Sequence, residues 1–102
     1  MAYDVVIDWH VTPFRRDRFL DAWEPYAAKA ISFGAKQWTL TRSHDDTLHI
    51  RQTTRWDNKD DFENYWHDPD VAAGRAEIIN WYLKPLLPVV HEILGTEAAG
   101  TG

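Results

Sequence analysis

Two polar side chains in this sequence stand where its apolar pattern points inward. Gln52 falls in the alternating run Leu48, Ile50, Gln52, Thr54, Trp56, and Arg75 shares a helical stripe with Val71, Ile78, Ile79 and Tyr82. Polar groups turned into an apolar interior need a partner or a ligand. A glutamine amide can donate to a carbonyl and accept from a hydroxyl in a dry pocket, and a guanidinium can stabilise an enolate or phenolate as it forms. Around them in the sequence stand aromatic rings. Trp9, Trp23, Trp56 and Phe62 are placed to sandwich a flat ring, and Tyr65 to donate or relay a proton. The candidate catalytic set is therefore Gln52, Trp56, Tyr65 and Arg75, with Trp9, Trp23, Phe62, Trp66 and Ile79 as candidate binding residues.

Each of these has a plainer reading. Gln52 can be a strand residue bonded to a backbone group at a helix end, and Arg75 can sit in an ion pair with Asp68, Asp70 or Glu77. The rings can be core packing, and the Tyr65 hydroxyl can face water. The histidines, His10, His44, His49, His67 and His91, show no spacing that puts two imidazoles on one metal, so no metal is expected. His10 and His49 can still meet on a polar sheet face.

The elements that position these residues follow from periodicity and punctuation. Tyr3 to Thr12 alternates as a half-buried first strand that Pro13 ends. Phe19, Leu20, Trp23, Ala27, Ala30 and Ile31 recur at helical spacing as far as Gly34, a residue suited to a left-handed cap. Pro25 lies inside this helix and predicts a kink or break near Trp23 and Glu24. Gln37–Arg42 and Leu48–Trp56 read as a hairpin around the polar segment Ser43–Thr47. Asn58 is a good N-cap for a short helix bearing Phe62, Tyr65 and Trp66. Asp68 and Pro69 then start a third helix, expected to reach Leu83. Val89 to Leu94 reads as the last strand. Residues 1–95 are expected to form a single domain and 96–102 a disordered tail.

The order strand, helix, strand, strand, helix pair, strand places helices on one face of a four-stranded antiparallel sheet, an α+β fold of the ferredoxin-like kind. On the open face, Asp8 and His10 should meet His49, Arg51 and Thr53, with Thr39 and Thr41 beyond. That face is too polar for a monomer core and suits a second copy or water.

Composition narrows the function. A chain of 102 residues is one small domain, of a size that buries roughly 60–65% of its unfolded surface, so an internal cavity calls for added burial such as homodimerisation. Its 6 Trp, 4 Tyr and 4 Phe exceed what a minimal core requires and point to a pocket for a flat apolar ligand. A net charge of -5 with pI near 5.4 and no basic stripe argues against nucleic-acid binding. The absence of cysteine excludes disulfides and thiol chemistry. No apolar run is long enough for a membrane span and no secretory signal pattern opens the chain, so a cytoplasmic protein is expected. Hydrolase, kinase and dehydrogenase motifs are all missing.

The stretch from Trp9 to Pro13, followed by RWDNKDDFENYWHDPDVAAGR from Arg55 to Arg75, resembles the dimeric α+β barrel superfamily, and within it the antibiotic-biosynthesis-monooxygenase-like group. The likeness in order and topology covers most of the chain. It implies a homodimer through the open sheet face and a pocket between sheet and helices in each subunit. It also implies oxidation of a phenolic or anthrone-type substrate by molecular oxygen without metal, flavin or haem, the deprotonated substrate itself reacting with oxygen. Quinone-forming members use an asparagine and a tryptophan four residues apart on the third strand, a tyrosine on the next helix and an arginine on the helix after. Trp56 and Arg75 match two of these, Gln52 lengthens the amide, and Phe62 occupies the tyrosine position. Tyr65, one helical turn later, could supply the lost hydroxyl. The loss at Phe62 also favours an alternative, a non-catalytic small-ligand-binding or stress-related dimer of the same fold. Haem-degrading relatives use an asparagine and a histidine where this chain has Ile7 and Ala76, which leaves only His67 nearby. Cyclase-like relatives use a tyrosine and histidine where Tyr65 and Val71 stand.

Overall fold

The structure, a computed structural model, describes residues 2–97. Alternating side chains build β1 (Tyr3–His10), β2 (Gln37–Arg42), β3 (His49–Trp56) and the short β4 (Val89–Glu92). They form one antiparallel sheet in the order β2-β3-β1-β4. Three helices, α1 (Arg16–Ala28), α2 (Lys59–Trp66) and α3 (Pro69–Glu77), complete the ferredoxin-like arrangement that the element order predicts.

Register decides which side chains meet. Ile7 lies opposite Gln52, Trp9 opposite Ile50, and Leu40 on the far side of Gln52. Because side chains alternate across the pleat, Val5, Ile7 and Trp9 share one face with Ile50, Gln52, Thr54 and Trp56. All seven are buried there, with Phe19, Trp23 and Ala27 of α1, Phe62 and Tyr65 of α2, and Val71 of α3.

Local chemistry sets the helix ends. The Asn58 side chain accepts from the Asp60 amide, and Asp68 accepts from the amides of Asp70 and Val71 ahead of Pro69. Gly34, at φ 110°, closes the first helical segment in the left-handed conformation. Gly74 has a different task. A Cβ there would stand 2.8 Å from the Tyr26 ring, so its absence lets α3 approach α1.

Several boundaries differ from expectation: β1 ends at His10 rather than Thr12, and β3 begins at His49 rather than Leu48. Helix α1 runs through Pro25 without breaking and tightens into a 3-10 turn only at Lys29–Phe33. The carbonyl that loses its partner to proline belongs to Asp21, an exposed residue where water can serve instead. Helix α3 stops at Glu77 rather than Leu83. The segment beyond it is drawn into pairing with the end of β1, through a bridge between Val11 and Tyr82 and bonds from Thr12 N to Trp81 O (2.9 Å) and Leu83 N to His10 O (2.8 Å). Strand β4 ends at Glu92 rather than Leu94, although the Ile93 amide still bonds Ala2 O. Of the tail expected from residue 96, residues 98–102 lie outside the described residues.

The open face carries the residues expected on it. Arg55 grips Asp4 through two bonds of 2.9 and 3.1 Å, and Asp8 Oδ1 lies 2.8 Å from both Arg51 Nε and His49 Nε2. The Arg51 bond, helped by His49, holds the Asp8 carboxyl below the usual carboxylate range. His10 and His49 do meet, their rings stacked with centroids 4.7 Å apart. Among the described residues, no group of three or more His, Asp or Glu side chains is placed to hold a metal ion.

Candidate functional site

Gln52 is fully buried, and its carboxamide is the centre of a side-chain network. Its Oε1 accepts from both the Trp23 indole (2.7 Å) and the Trp9 indole (3.2 Å), while its Nε2 donates to the Tyr65 hydroxyl (3.2 Å). Tyr65 in turn donates to the Tyr26 carbonyl (2.9 Å). That carbonyl lies in the last turn of α1, where helix carbonyls lack intrahelical donors. Four elements, β1, α1, β3 and α2, are thus tied through one amide. The partners of Gln52 are side chains rather than the backbone group that its plainer reading invokes.

The rings close around this network. Trp9 packs against Phe19 (5.1 Å), Trp23 (5.0 Å) and, edge to face, Tyr82 (5.0 Å). Trp56 lies against Phe62 and Tyr65, and its indole N–H is taken by Thr54 Oγ1 at 2.8 Å. Trp66 stacks on Phe62 at 5.8 Å and is 9% exposed, so it forms the outer edge of the cluster together with Tyr82. Eight of the nine candidates are therefore gathered into one assembly: Gln52, Trp56, Tyr65, Trp9, Trp23, Phe62, Trp66 and, over its edge, Arg75. Ile79 is not. It follows the end of α3 and is 44% exposed.

Arg75 is half-buried, its guanidinium carbon 4.1 Å from the centre of the Trp66 ring and its Nη1 donating to the Trp66 carbonyl at 2.5 Å. Of the three acids considered as its partners, Glu77 is exposed and not paired with it, and the other two are engaged elsewhere. Asp70 lies 2.9 Å and Asp68 3.6 Å from Lys29 Nζ, and Asp68 also caps α3. Among the described residues no carboxylate lies within ion-pairing distance of Arg75. Desolvation lowers its pKa, against the opposing influence of the Tyr82 and Tyr65 hydroxyls. Burial likewise pushes the Tyr65 phenol up to about 12, with the Gln52 bond and Arg75 pulling the other way. At neutral pH Tyr65 is a donor to a carbonyl and not a base.

Sequence reasoning missed three participants. Tyr26 contributes a backbone atom, which side-chain patterns do not reveal. Lys29 matters because it pairs with Asp70 and Asp68, two of the acids considered for Arg75. Lys84, with Nζ 5.5 Å from the Tyr82 ring centre, joins the outer edge only because the chain after α3 turns back to β1. His67, the residue nearest a haem-ligand role, is exposed and stands 3.3 Å from Glu63.

No family model matches the sequence, and no curated protein matches it. Solved structures do match. A structure of Rv0793 from Mycobacterium tuberculosis is 14% identical with TM-score 0.83, over 96% of this chain and 100% of that one. An antibiotic biosynthesis monooxygenase is 12% identical with TM-score 0.81, over 91% and 99%. SnoaB, a cofactor-independent oxygenase from Streptomyces nogalater, is 16% identical with TM-score 0.80, over 93% and 95%. At these identities the likeness establishes the fold, that of antibiotic biosynthesis monooxygenase structures, and no more.

Two predictions follow from the network. Gln52→Leu keeps the volume but strands two buried indole N–H groups, and should cost about 2–4 kcal/mol in chemical denaturation. The second concerns pH. Tyr65 has a folded pKa above its unfolded value near 10, so the unfolded chain ionises first and stability falls as pH rises from 10 towards 12. The loss should reach about 2–3 kcal/mol, Tyr82 adding in the same direction, and Tyr65→Phe should flatten that slope in denaturation curves taken across the window.

Proposed function

We propose that this protein is a cofactor-independent monooxygenase-like enzyme that oxidises a phenol-bearing aromatic small molecule with molecular oxygen, and that it works as a homodimer. The observation that carries this reading is Arg75: a half-buried guanidinium with no carboxylate partner among the described residues, set against Trp66 and within the field of the Tyr65 and Tyr82 hydroxyls. Such a cation lowers the pKa of a phenol brought beside it and holds the resulting phenolate. The phenolate is the reductant and oxygen the oxidant. Oxygen adds to a ring carbon as a hydroperoxide; its O–O bond and that carbon's C–H bond then break, the outer oxygen leaves as water, and a quinone-type product keeps the other oxygen.

The remaining candidates act at one remove from the reacting atoms. Gln52 and Tyr65, their bonds already engaged, fix the Trp9 and Trp23 rings. Phe62 stacks on Trp66 and the Arg75 guanidinium lies over its ring, so the substrate ring settles at the rim formed by Trp66 and Tyr82, beside the guanidinium. Substrate approaches at this edge, since the space deeper between sheet and helices is filled by side chains. The second copy covers the open sheet face. Its charges are already paired within the face, which reduces the cost of covering them.

The same closed packing favours one other reading, a non-catalytic dimer that binds an aromatic ligand at the Arg75 edge. Tryptophan quenching by polycyclic phenols without oxygen consumption would identify it. The deciding experiment is oxygen uptake by metal-free protein with anthrones, naphthols and dihydroxyaromatics. Saturable uptake is expected, and Arg75→Met should lower it by about 100-fold or more. The melting temperature should barely move, because the methionine stem can still cover Trp66. Uptake unaffected by the substitution would exclude the role given to Arg75.

A further inference from the structure

Three irregularities converge on one short segment far from Gln52 in the sequence. Phe14 is 100% exposed, the most exposed large apolar side chain among the described residues. It is also the one non-glycine described residue with positive φ, at 69°, a left-handed conformation that costs a bulky residue energy. Two positions on, Arg16 Nε is the one buried side-chain nitrogen or oxygen among the described residues without a hydrogen-bond partner. Asp17 Oδ1 stands 3.6 Å from it, an ion-pair contact too long for a hydrogen bond.

These residues line the same hollow. Phe14, Arg16 and Arg18, with Asp17, face Thr47 and Leu48 of the β2–β3 hairpin across a cleft of about 430 Å³. That volume lies within the range of small-molecule sites. The chemistry of the lining is specific: an upright aromatic ring, the apolar Leu48, a hydroxyl at Thr47, and two guanidinium groups against a single carboxylate. A guanidinium takes a carboxylate, and a ring held away from the protein surface stacks on a flat partner.

The geometry points to a second ligand site here, for a planar aromatic carboxylate whose ring stacks on Phe14 and whose carboxylate receives Arg16 and Arg18. The left-handed backbone at Phe14 holds its ring beside the cleft. The carboxylate pairs with the Arg16 and Arg18 guanidinium groups from the cleft side, the buried Nε facing away from it.

The test is titration of the full chain with 2-naphthoate, read by calorimetry and by amide shifts in NMR, beside the neutral 2-naphthalenemethanol. Binding of naphthoate should shift amides of residues 14–18 and 47–48 and be at least tenfold tighter than that of the alcohol. Phe14→Gly, which relieves the left-handed backbone and so should melt slightly higher, should weaken naphthoate binding at least tenfold. Arg16→Gln should do the same. Oxygen uptake dependent on Arg75 should be unchanged by Phe14→Gly, so this site and the proposed oxidation fail separately. No binding at millimolar naphthoate, equal binding of the alcohol, shifts confined to Trp66 and Arg75, or binding indifferent to both substitutions would each overturn the proposal.

Discussion

One hydrogen-bonded amide organises this molecule. Gln52 is buried on the helix side of the central strand β3, where an unpaired carboxamide would be costly, and the chain satisfies it with the side chains of Trp9, Trp23 and Tyr65. That choice fixes the rotation of two indoles and one phenol together. The positions of Phe19, Tyr82, Trp66 and Phe62 follow from packing against those rings. Tyr65 extends the network to the last turn of α1, so the geometry of the first helix and the second is set by the same group.

A second constraint decides what the outer edge can do. Asp68 is committed to capping α3 and, with Asp70, to Lys29 at the end of α1. Helix docking therefore engages the two acids at the start of α3, while Glu77, the acid nearest to Arg75 in sequence, is exposed and forms no ion pair with it. The guanidinium is left lying on Trp66 with a backbone carbonyl as its hydrogen-bond acceptor. An aromatic face and a peptide oxygen compensate a cation only in part, so the edge keeps a surplus positive field directed at whatever settles against Trp66 and Tyr82. Desolvation of Arg75 and the elevated pKa of Tyr65 both reflect the same dry surroundings.

Much of this was legible in the sequence. Period-two alternation located β1, β2 and β3, and caps at Asn58, Asp68 and Gly34 located helix ends, because these signals are local. The inward direction of Gln52 was readable for the same reason. Its partners were not: Trp9 and Trp23 lie 43 and 29 residues away, and sequence registers them as rings, with no sign that their N–H groups converge. The neutralisation of Asp68 and Asp70 by Lys29 was equally hidden, being a contact between helices distant in the chain. Helix α3 was overextended because Ile78, Ile79 and Tyr82 continue the helical stripe, whereas pairing of Trp81, Tyr82 and Leu83 with the end of β1 outweighs that local preference.

The central claim is that the Arg75 edge holds an anionic phenol. It is tested most directly by the ionisation of a chromophoric phenol, such as a nitronaphthol, bound to the protein and followed by absorbance across pH. Bound phenol ionising at lower pH than the same phenol in solution, with the difference abolished in Arg75→Met, is the expected result. Ionisation at the solution pH or above it, or a shift that survives the substitution, would contradict it.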